Sequence, residues 1–530
     1  MNLAAAIANS LWVASNVPAI LRFEYALTSP TETQSGLLRR YLKQNAPCAY
    51  GRAHDFARIR SYEEFARRVP LISYDDIEPW IERIKRGERR VLTTDAVTHL
   101  VPTSGSTGSR KLIPFTGGLQ QEFGCAIGPW LADLTRSHPT VLLGPAYWSI
   151  TPAIEPAETQ SCGIPIGFSD DVRYLSAAKA WLARRVVIAP NRFAPATDVE
   201  EFRYRTLVCL LKERDLRLIS VWHPSFLTLL LEALPRYWNR LLAEICKTQN
   251  RRASELKQSD PERPSTIWPR LQVVSCWGDG AAALAIGDLR RYFPGALVQP
   301  KGLMATEAFV TIPFRGLLPL AVRSHFFEFI AEDGRVRLAH DLRKGEKYEV
   351  VVTTAGGLWR YRLRDSVQAT GFVGSTPSLR FLGRIGNVSD VCGEKLSEAF
   401  ATRAVQEALG TCAARPRFAL LAPDKDEAGW RYTLYVEGPM PAIAETLDAC
   451  LRQNPQYAYC RELGQLLPVR MFAIDKHGYE IFVSRHLAQG MRLGDIKPAC
   501  FSRLIGWSEF FSGKYIQDKS VLCSSVGTSQ

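Results

Sequence analysis

Between Val101 and Thr116 the chain reads VPTSGSTGSRKLIPFT. Seven of the eight residues from Thr103 to Arg110 are Thr, Ser or Gly, and Arg110 and Lys111 close the run. Glycines let backbone N–H groups come close to a ligand, hydroxyls add donors and lysine adds charge, which together suit a phosphate. The spacing is not that of a Walker A loop. Gly105 and Gly108 are three apart where that motif has five, and Leu112 stands where a Ser or Thr would bind magnesium. Pro114 also argues against a helix directly after the loop.

Two further segments carry oxygen ligands. In QPKGLMATEAF (299–309), Thr306 and Glu307 follow a strand end, where open α/β sheets place ligand groups. A carboxylate there suits Mg²⁺, which prefers hard oxygens shared with phosphates, although a Thr-Glu pair also reads as a helix cap. In YEVVVTTAGGLWRYRLRDSV (348–367), Ala355–Gly357 make a turn and Asp365 ends the returning strand. Its two acceptor oxygens match the hydroxyl pair of a ribose; the alternative is pairing with Arg362 or Arg364.

WGDGAAALA (277–285) has the G-x-G-x-x-A form, but Lys301 follows the next strand where a dinucleotide site wants an acid. No Ser/His/Asp set stands out. His223 and His325 read as packing or hydrogen-bonding residues.

These loops need a scaffold. Residues 1–90 read as helical, with Leu3, Ile7, Leu11 and Ala14 on a docking face and Pro18 ending or kinking the first helix. Strands follow at 98–102, 140–144, 185–190, 216–222, 271–277, 296–300 and 348–354, alternating with helical patterns. Several are largely apolar, as strands buried on both faces should be, which predicts an α/β domain with mostly parallel sheets. The polar span 247–270 reads as a surface excursion. Beyond Asp365 comes a turn-rich connector, then a compact α+β domain.

At 530 residues the chain exceeds one ordinary core. Its net charge of +13 comes from scattered arginines and no nucleic-acid motif is present, so an anionic small molecule is the expected ligand and nucleic acid is not. The N-terminus lacks the basic region of a signal peptide and is too interrupted to span a bilayer, so no membrane role is expected. Twelve cysteines without a C-x-x-C, with Cys125, Cys209, Cys246 and Cys276 in apolar surroundings, predict buried reduced thiols and a cytoplasmic protein.

Taken in order, the Ser/Thr/Gly loop, the Thr-Glu pair, Y-x-x-x-D and a Gly-Arg turn resemble the adenylate-forming superfamily of acyl-CoA synthetases and luciferases. Within it, TSGSTGSRKLIP, PLISYDDIEPWIERIKRGE, LWRYRLRD and RFLGRIGNVSDVCGEKLSE resemble the acyl-acid–amido synthetases of the auxin-responsive promoter family, from Leu71 to Glu398. The resemblance implies a large N-terminal domain (1–384), a hinge (385–397) and a small mobile C-terminal α+β domain (398–530). It implies ATP phosphates at Thr103, Ser104, Gly105, Ser106, Thr107 and Lys111, the α-phosphate and Mg²⁺ at Thr306 and Glu307, and the ribose at Asp365. Arg384 would approach the nucleotide at the hinge, and Lys395 would reach the reacting phosphate.

The activity implied is adenylation of a carboxylic acid, then transfer of the acyl group to an amine or amino acid. The acyl pocket would draw on 123–148, 221–226 and 308–314. Leu303 stands where the family has an adenine-stacking tyrosine, and Arg364 where it has glycine. Lys514, in FFSGKYI, resembles the last lysine motif of CoA ligases but reads as a surface residue. A CoA or carrier-protein ligase and an inactive nucleotide-binding regulator are the alternatives.

Overall fold

The computed structural model describes residues 3–103, 111–149, 163–168, 177–188, 199–279, 282–386, 388–412, 415–489, 491, 496 and 499–516. Two compact units emerge, Met1–Asp279 with Ile286–Phe381, and Gly280–Ala285 with Leu382–Gln530.

In the first unit β1 (Val97–Pro102) and β2 (Leu112–Thr116) pair antiparallel, Leu100 opposite Pro114. A five-stranded sheet is parallel throughout. It consists of β3 (Ala146–Ser149), β4 (Val187–Ile188), β5 (Leu218–Val221), β6 (Val273–Trp277) and β7 (Leu297–Lys301), in the order β4-β3-β5-β6-β7. Successive side chains point to opposite faces of a strand. Leu218 and Val273 accordingly pack with Ala126, Trp130 and Leu134, while Ile219 and Val274 pack with Leu227, Leu231 and Ile245. Both faces are dry, which is why these strands read as unbroken apolar runs.

The second five-stranded sheet is antiparallel instead. β8 (Phe326–Ala331), β9 (Val336–Leu338), β10 (Lys347–Thr353), β11 (Tyr361–Val373) and β12 (Thr376–Arg384) run β12-β11-β10-β8-β9. Phe327, Phe329, Val350, Val352 and Leu363 join the core built by the N-terminal helices. Gln34, on helix Pro30–Asn45, joins the two: its amide donates to Val322 O and His325 O, both at 2.7 Å, and accepts from Phe327 N at 2.8 Å.

The second unit holds the ribbon β13 (Val388–Ser389) and β14 (Leu396–Ser397). Its four-stranded sheet orders β15 (Phe418–Asp426), β16 (Gly429–Glu437), β17 (Arg470–Ile474) and β18 (Gly513–Ile516) in sequence, with only β16 and β17 parallel. Helix Glu398–Gly410 packs Val405 and Leu409 against it, giving the α+β character.

Several local expectations fail. Helix Leu3–Thr28 does not end at Pro18 but runs through it, with Pro18 and Ala14 both exposed. Its buried face is Ala5, Ala8, Trp12 and Phe23, whereas Leu3, Ile7 and Leu11 are 62%, 55% and 54% exposed. Small alanines permit close approach to helix Gly117–Ser137, and that outweighs the larger apolar residues. The helix is long and apolar enough to cross a membrane by length and composition.

Residues 139–143 form a 3₁₀ turn opened by Pro139, and the strand comes three residues later. Among the described residues of 185–190, Val187–Ile188 form a strand and a helix runs to Val186. The span 247–270 is not a surface excursion: Leu256, Ile267 and Trp268 are core, and buried Arg252 donates to Leu211 O and Ile267 O. Cys276 is buried, but Cys125 and Cys209 are only partly so and Cys246 is exposed.

Candidate active site

The glycine–hydroxyl loop joins two antiparallel strands, so no helix start stands behind it. Thr103 N donates to Lys111 O at 2.9 Å and closes its neck. Ser104, Gly105, Ser106 and Thr107 lie outside the described residues. The Thr103 hydroxyl is buried with no hydrogen-bond partner among the described residues. Such a group costs free energy unless something else bonds it, which suits an oxygen-rich ligand.

Lys111 is placed by the segment upstream. Its Nζ lies 5.4 Å from the Tyr74 ring centroid, and the Tyr74 hydroxyl accepts the Leu112 N–H at 2.8 Å. Tyr74 starts helix Tyr74–Lys85, whose first turn is fixed by Asp76 accepting from Ser73 N and Oγ at 2.8 and 2.7 Å. Tyr74 went unnoticed in the sequence; the S-Y-D-D capping pattern was its signal.

Beyond β7 the chain makes a tight bend, not a helix. Ala305 N donates to Ala308 O at 2.8 Å, and Thr306 and Glu307 occupy the bend. The cap alternative therefore falls. Gly302 permits this path, because a Cβ there would lie 2.1 Å from Thr311 O. Glu307 is 5% exposed, and its carboxylate has no hydrogen-bond or ion-pair partner among the described residues. Leu303 is buried in the core of the unit.

The bend is pinned from behind. Phe309 N donates to His325 Nε2 at 3.1 Å, and Ser324 Oγ donates to Phe309 O at 3.1 Å. His325 Nδ1 lies 3.0 Å from Glu122 Oε2. Glu122 also accepts the Ala355 N–H at 3.0–3.1 Å and the Tyr41 hydroxyl. Burial, then the Glu122 charge, push the Tyr41 phenol well above its ordinary pKa. Glu122 was missed entirely: one carboxylate in the apolar face of GGLQQEFGCAIGPWL was its only trace.

Asp365 sits in a distorted stretch of β11. Glu349 pairs with Ser366 and Val351 with Arg362, so the residues from Leu363 to Asp365 face a single partner residue and the strand bulges. Bulges of this kind re-aim side chains beside active sites. Arg364 takes φ of 62°, the left-handed region that glycine favours. Arg362 grips Glu349 at 2.9 and 2.6 Å, and Arg364 lies 4.0 Å from it. Both arginines are thus drawn to Glu349.

Aromatic rings lie nearby in two groups. Phe123 contacts Phe309 (centroids 4.8 Å apart) and Phe115 (6.0 Å), and Phe115 contacts Phe168 (4.8 Å). Trp222 stacks on Trp277 at 6.1 Å, and Trp277 meets Phe381 edge-on at 5.3 Å. Of the expected pocket segments, Phe123 and Phe309 come together, whereas Val221 is core. His223 caps helix Pro224–Glu232 by accepting Ser225 N at 3.1 Å. Asp279 accepts a backbone N–H from Phe381, and burial pushes its carboxyl up to about 6. Gly278 lets Pro300 approach, since a Cβ would lie 2.9 Å from its side chain.

In the second unit Arg384 closes β12, and Lys395 lies exposed in the turn of the β13–β14 ribbon. Lys514 is exposed on β18, opposite Ala473. Among the described residues no cluster of three His, Cys, Asp or Glu could hold a metal.

Comparison with known proteins places these features in a lineage. Models of the GH3 family N-terminal, central and C-terminal domains match residues 19–298, 318–384 and 399–504. A putative indole-3-acetic acid-amido synthetase, GH3.10 of Oryza sativa subsp. japonica, is 27% identical over 78% of this chain and 90% of its own. A probable indole-3-acetic acid-amido synthetase, GH3.12 of the same organism, is 25% identical over 71% of this chain and 72% of its own. The solved structure of AtGH3.15 acyl acid amido synthetase in complex with 2,4-DB superposes with a TM-score of 0.82 at 19% identity, covering 93% of this chain and 95% of that one. That likeness establishes the adenylate-forming α/β fold.

Proposed function

The chain belongs to the GH3 family, and on that premise we propose how its residues activate an acid and form an amide. It is an ATP-dependent ligase. An oxygen of the acid attacks the ATP α-phosphorus, the bond to pyrophosphate breaks, and acyl-adenylate forms. An amine nitrogen then attacks the acyl carbon, AMP leaves, and the nitrogen loses its proton. Adenylate is a good leaving group, so the reaction needs no protein nucleophile.

Thr103, Ser104, Gly105, Ser106, Thr107 and Lys111 hold the phosphates, with Tyr74 steadying Lys111. Thr306 and Glu307 face the α-phosphate, Asp365 the ribose, and Arg384 the nucleotide beside the hinge at 385–397. Lys395 meets the reacting phosphate when the small domain turns towards it. The observation that carries this reading is Glu307, a buried residue in a pinned bend whose carboxylate has no partner among the described residues. A lone carboxylate fits Mg²⁺ that takes its other oxygens from phosphates and water. When bound, the ion neutralises charge on those phosphates.

The acid is small, with an apolar body lying against Phe123 and Phe309. The relatives' names point to aromatic acids, and the acceptor is an amine or amino acid. The described cysteines are all unpaired, which fits a reducing cytoplasm.

The test is pyrophosphate release over a panel of aromatic and aliphatic acids, with products from amino acids, amines and CoA identified by mass spectrometry. An amide plus AMP is expected. An acyl-CoA product, or ATP binding without turnover for any acid, overturns the assignment.

A further inference from the structure

Lys395 combines exposure with strain. Its φ is 45°, in the left-handed region that an L-residue with a side chain adopts only under strain. Such geometry persists only where the surroundings over-determine it. Here both sequence neighbours, Glu394 and Leu396, are completely buried. Leu396 pairs with Ser389 across the ribbon and packs among Val405, Leu409 and Leu434.

Glu394 is held without a cation among the described residues. Its carboxylate accepts Val391 N at 2.9 and 3.1 Å, Cys392 N at 2.7 Å and the Tyr432 hydroxyl at 2.5 Å. Tyr432 is itself fully buried on β16, its oxygen 2.6 Å from Ser389 Oγ. Burial, then the Glu394 charge, keep this phenol protonated, so it stays a donor. Cys460 Sγ donates to Cys392 O at 3.2 Å, tying the same loop to helix Pro455–Glu462. An exposed lysine is thus fixed between two immobile anchors.

We propose that Tyr432 and Glu394 are positioning residues that hold Lys395 in its strained backbone geometry and so aim its ammonium at the phosphate undergoing attack. This rests on the reading of Lys395 as the lysine of adenylation. Tyr432 and Glu394 touch no substrate; they act through the turn.

The experiment is a double-mutant cycle on pyrophosphate release in the full-length chain, with Tyr432→Phe, Glu394→Gln and Lys395→Ala. Tyr432→Phe should lower kcat roughly tenfold and leave KM for ATP and acid within twofold, as misaiming a reacting group does. Glu394→Gln should have a milder effect, because its amide oxygen still accepts from the two backbone N–H groups. In the Lys395→Ala background neither substitution should lower the rate further. Effects that multiply in that background, or Tyr432→Phe and Glu394→Gln proteins at wild-type rate beside an impaired Lys395→Ala protein, overturn the clamp alone. A Lys395→Ala protein at wild-type rate instead removes the role of Lys395, and the clamp falls with it. Circular dichroism of each variant separates misfolding from misaiming.

Discussion

His325 stands between Glu122 and the backbone of Phe309, using both ring nitrogens. The Phe309 N–H donates to Nε2, so Nε2 carries the lone pair and Nδ1–H donates to Glu122. His325 is completely buried and Glu122 is 3% exposed. Replacing His325 with Phe keeps the bulk but takes one donor from the buried Glu122 carboxylate, which keeps the Ala355 N–H, and leaves the part-buried Phe309 N–H without its acceptor. Losing such partners costs about 1–3 kcal/mol. The His325→Phe protein should therefore show a clearly lower thermal midpoint, and His325→Gln, which can both donate and accept, a smaller fall. Equal midpoints for the two would contradict the assigned tautomer and its bonds.

Arg364 occupies a conformation suited to glycine while gaining only a 4.0 Å approach to Glu349. A pair at that distance, with the arginine largely in water, is worth little. Arg364→Gly should stabilise the protein by about 1 kcal/mol, whereas Arg362→Ala should destabilise it by stranding buried Glu349. Denaturant titration of both variants reads the opposite signs.

Asp279 has its carboxyl pushed up to about 6 by burial. A raised folded-state value means the native protein binds more protons than the unfolded chain between about pH 4 and about pH 6. Stability from this group is therefore full below about pH 4 and is lost as pH rises through about 6. Asp279→Asn should raise the thermal midpoint at pH 7.5, by an effect of at most about 3 kcal/mol, and change it little at pH 4. A larger gain at pH 4 than at pH 7.5 would reverse the argument.

Thr103→Val replaces a buried hydroxyl that has no hydrogen-bond partner among the described residues with a methyl group of the same size. The folded protein should be no less stable. ATP should bind roughly tenfold more weakly, the loss expected for one hydrogen bond to a charged oxygen. Calorimetric titration with a non-hydrolysable ATP analogue measures it, and unchanged affinity would remove Thr103 from the phosphate site.

What the sequence disclosed depended on range. The apolar runs at 216–222 and 271–277 signalled a doubly covered sheet because burial on both faces leaves no polar alternation. Of the antiparallel sheet around 326–384 only the hairpin at 348–367 was legible, through its turn residues; the other strands escaped notice, since pairing direction depends on connections and not on composition. At Leu3, Ile7 and Leu11 size misled, because close helix packing selects the alanines beside them. The oxygen-bearing loops were legible as motifs. Their supports, Glu122, Tyr74 and the Glu394–Tyr432 pair, were not: each acts across 38 residues or more, and nothing local marks a partner so far along the chain.

The bond from Thr103 N to Lys111 O gives the nucleotide loop a gate-post at each side. Loop-closure entropy changes slowly with length once the ends are fixed. The segment is therefore a cassette: a shorter or longer loop from a distant relative should seat on the same posts without disturbing the scaffold. Nucleotide preference and acid preference can then be exchanged between such enzymes one at a time, the first by grafting between the posts and the second by repacking around Phe309.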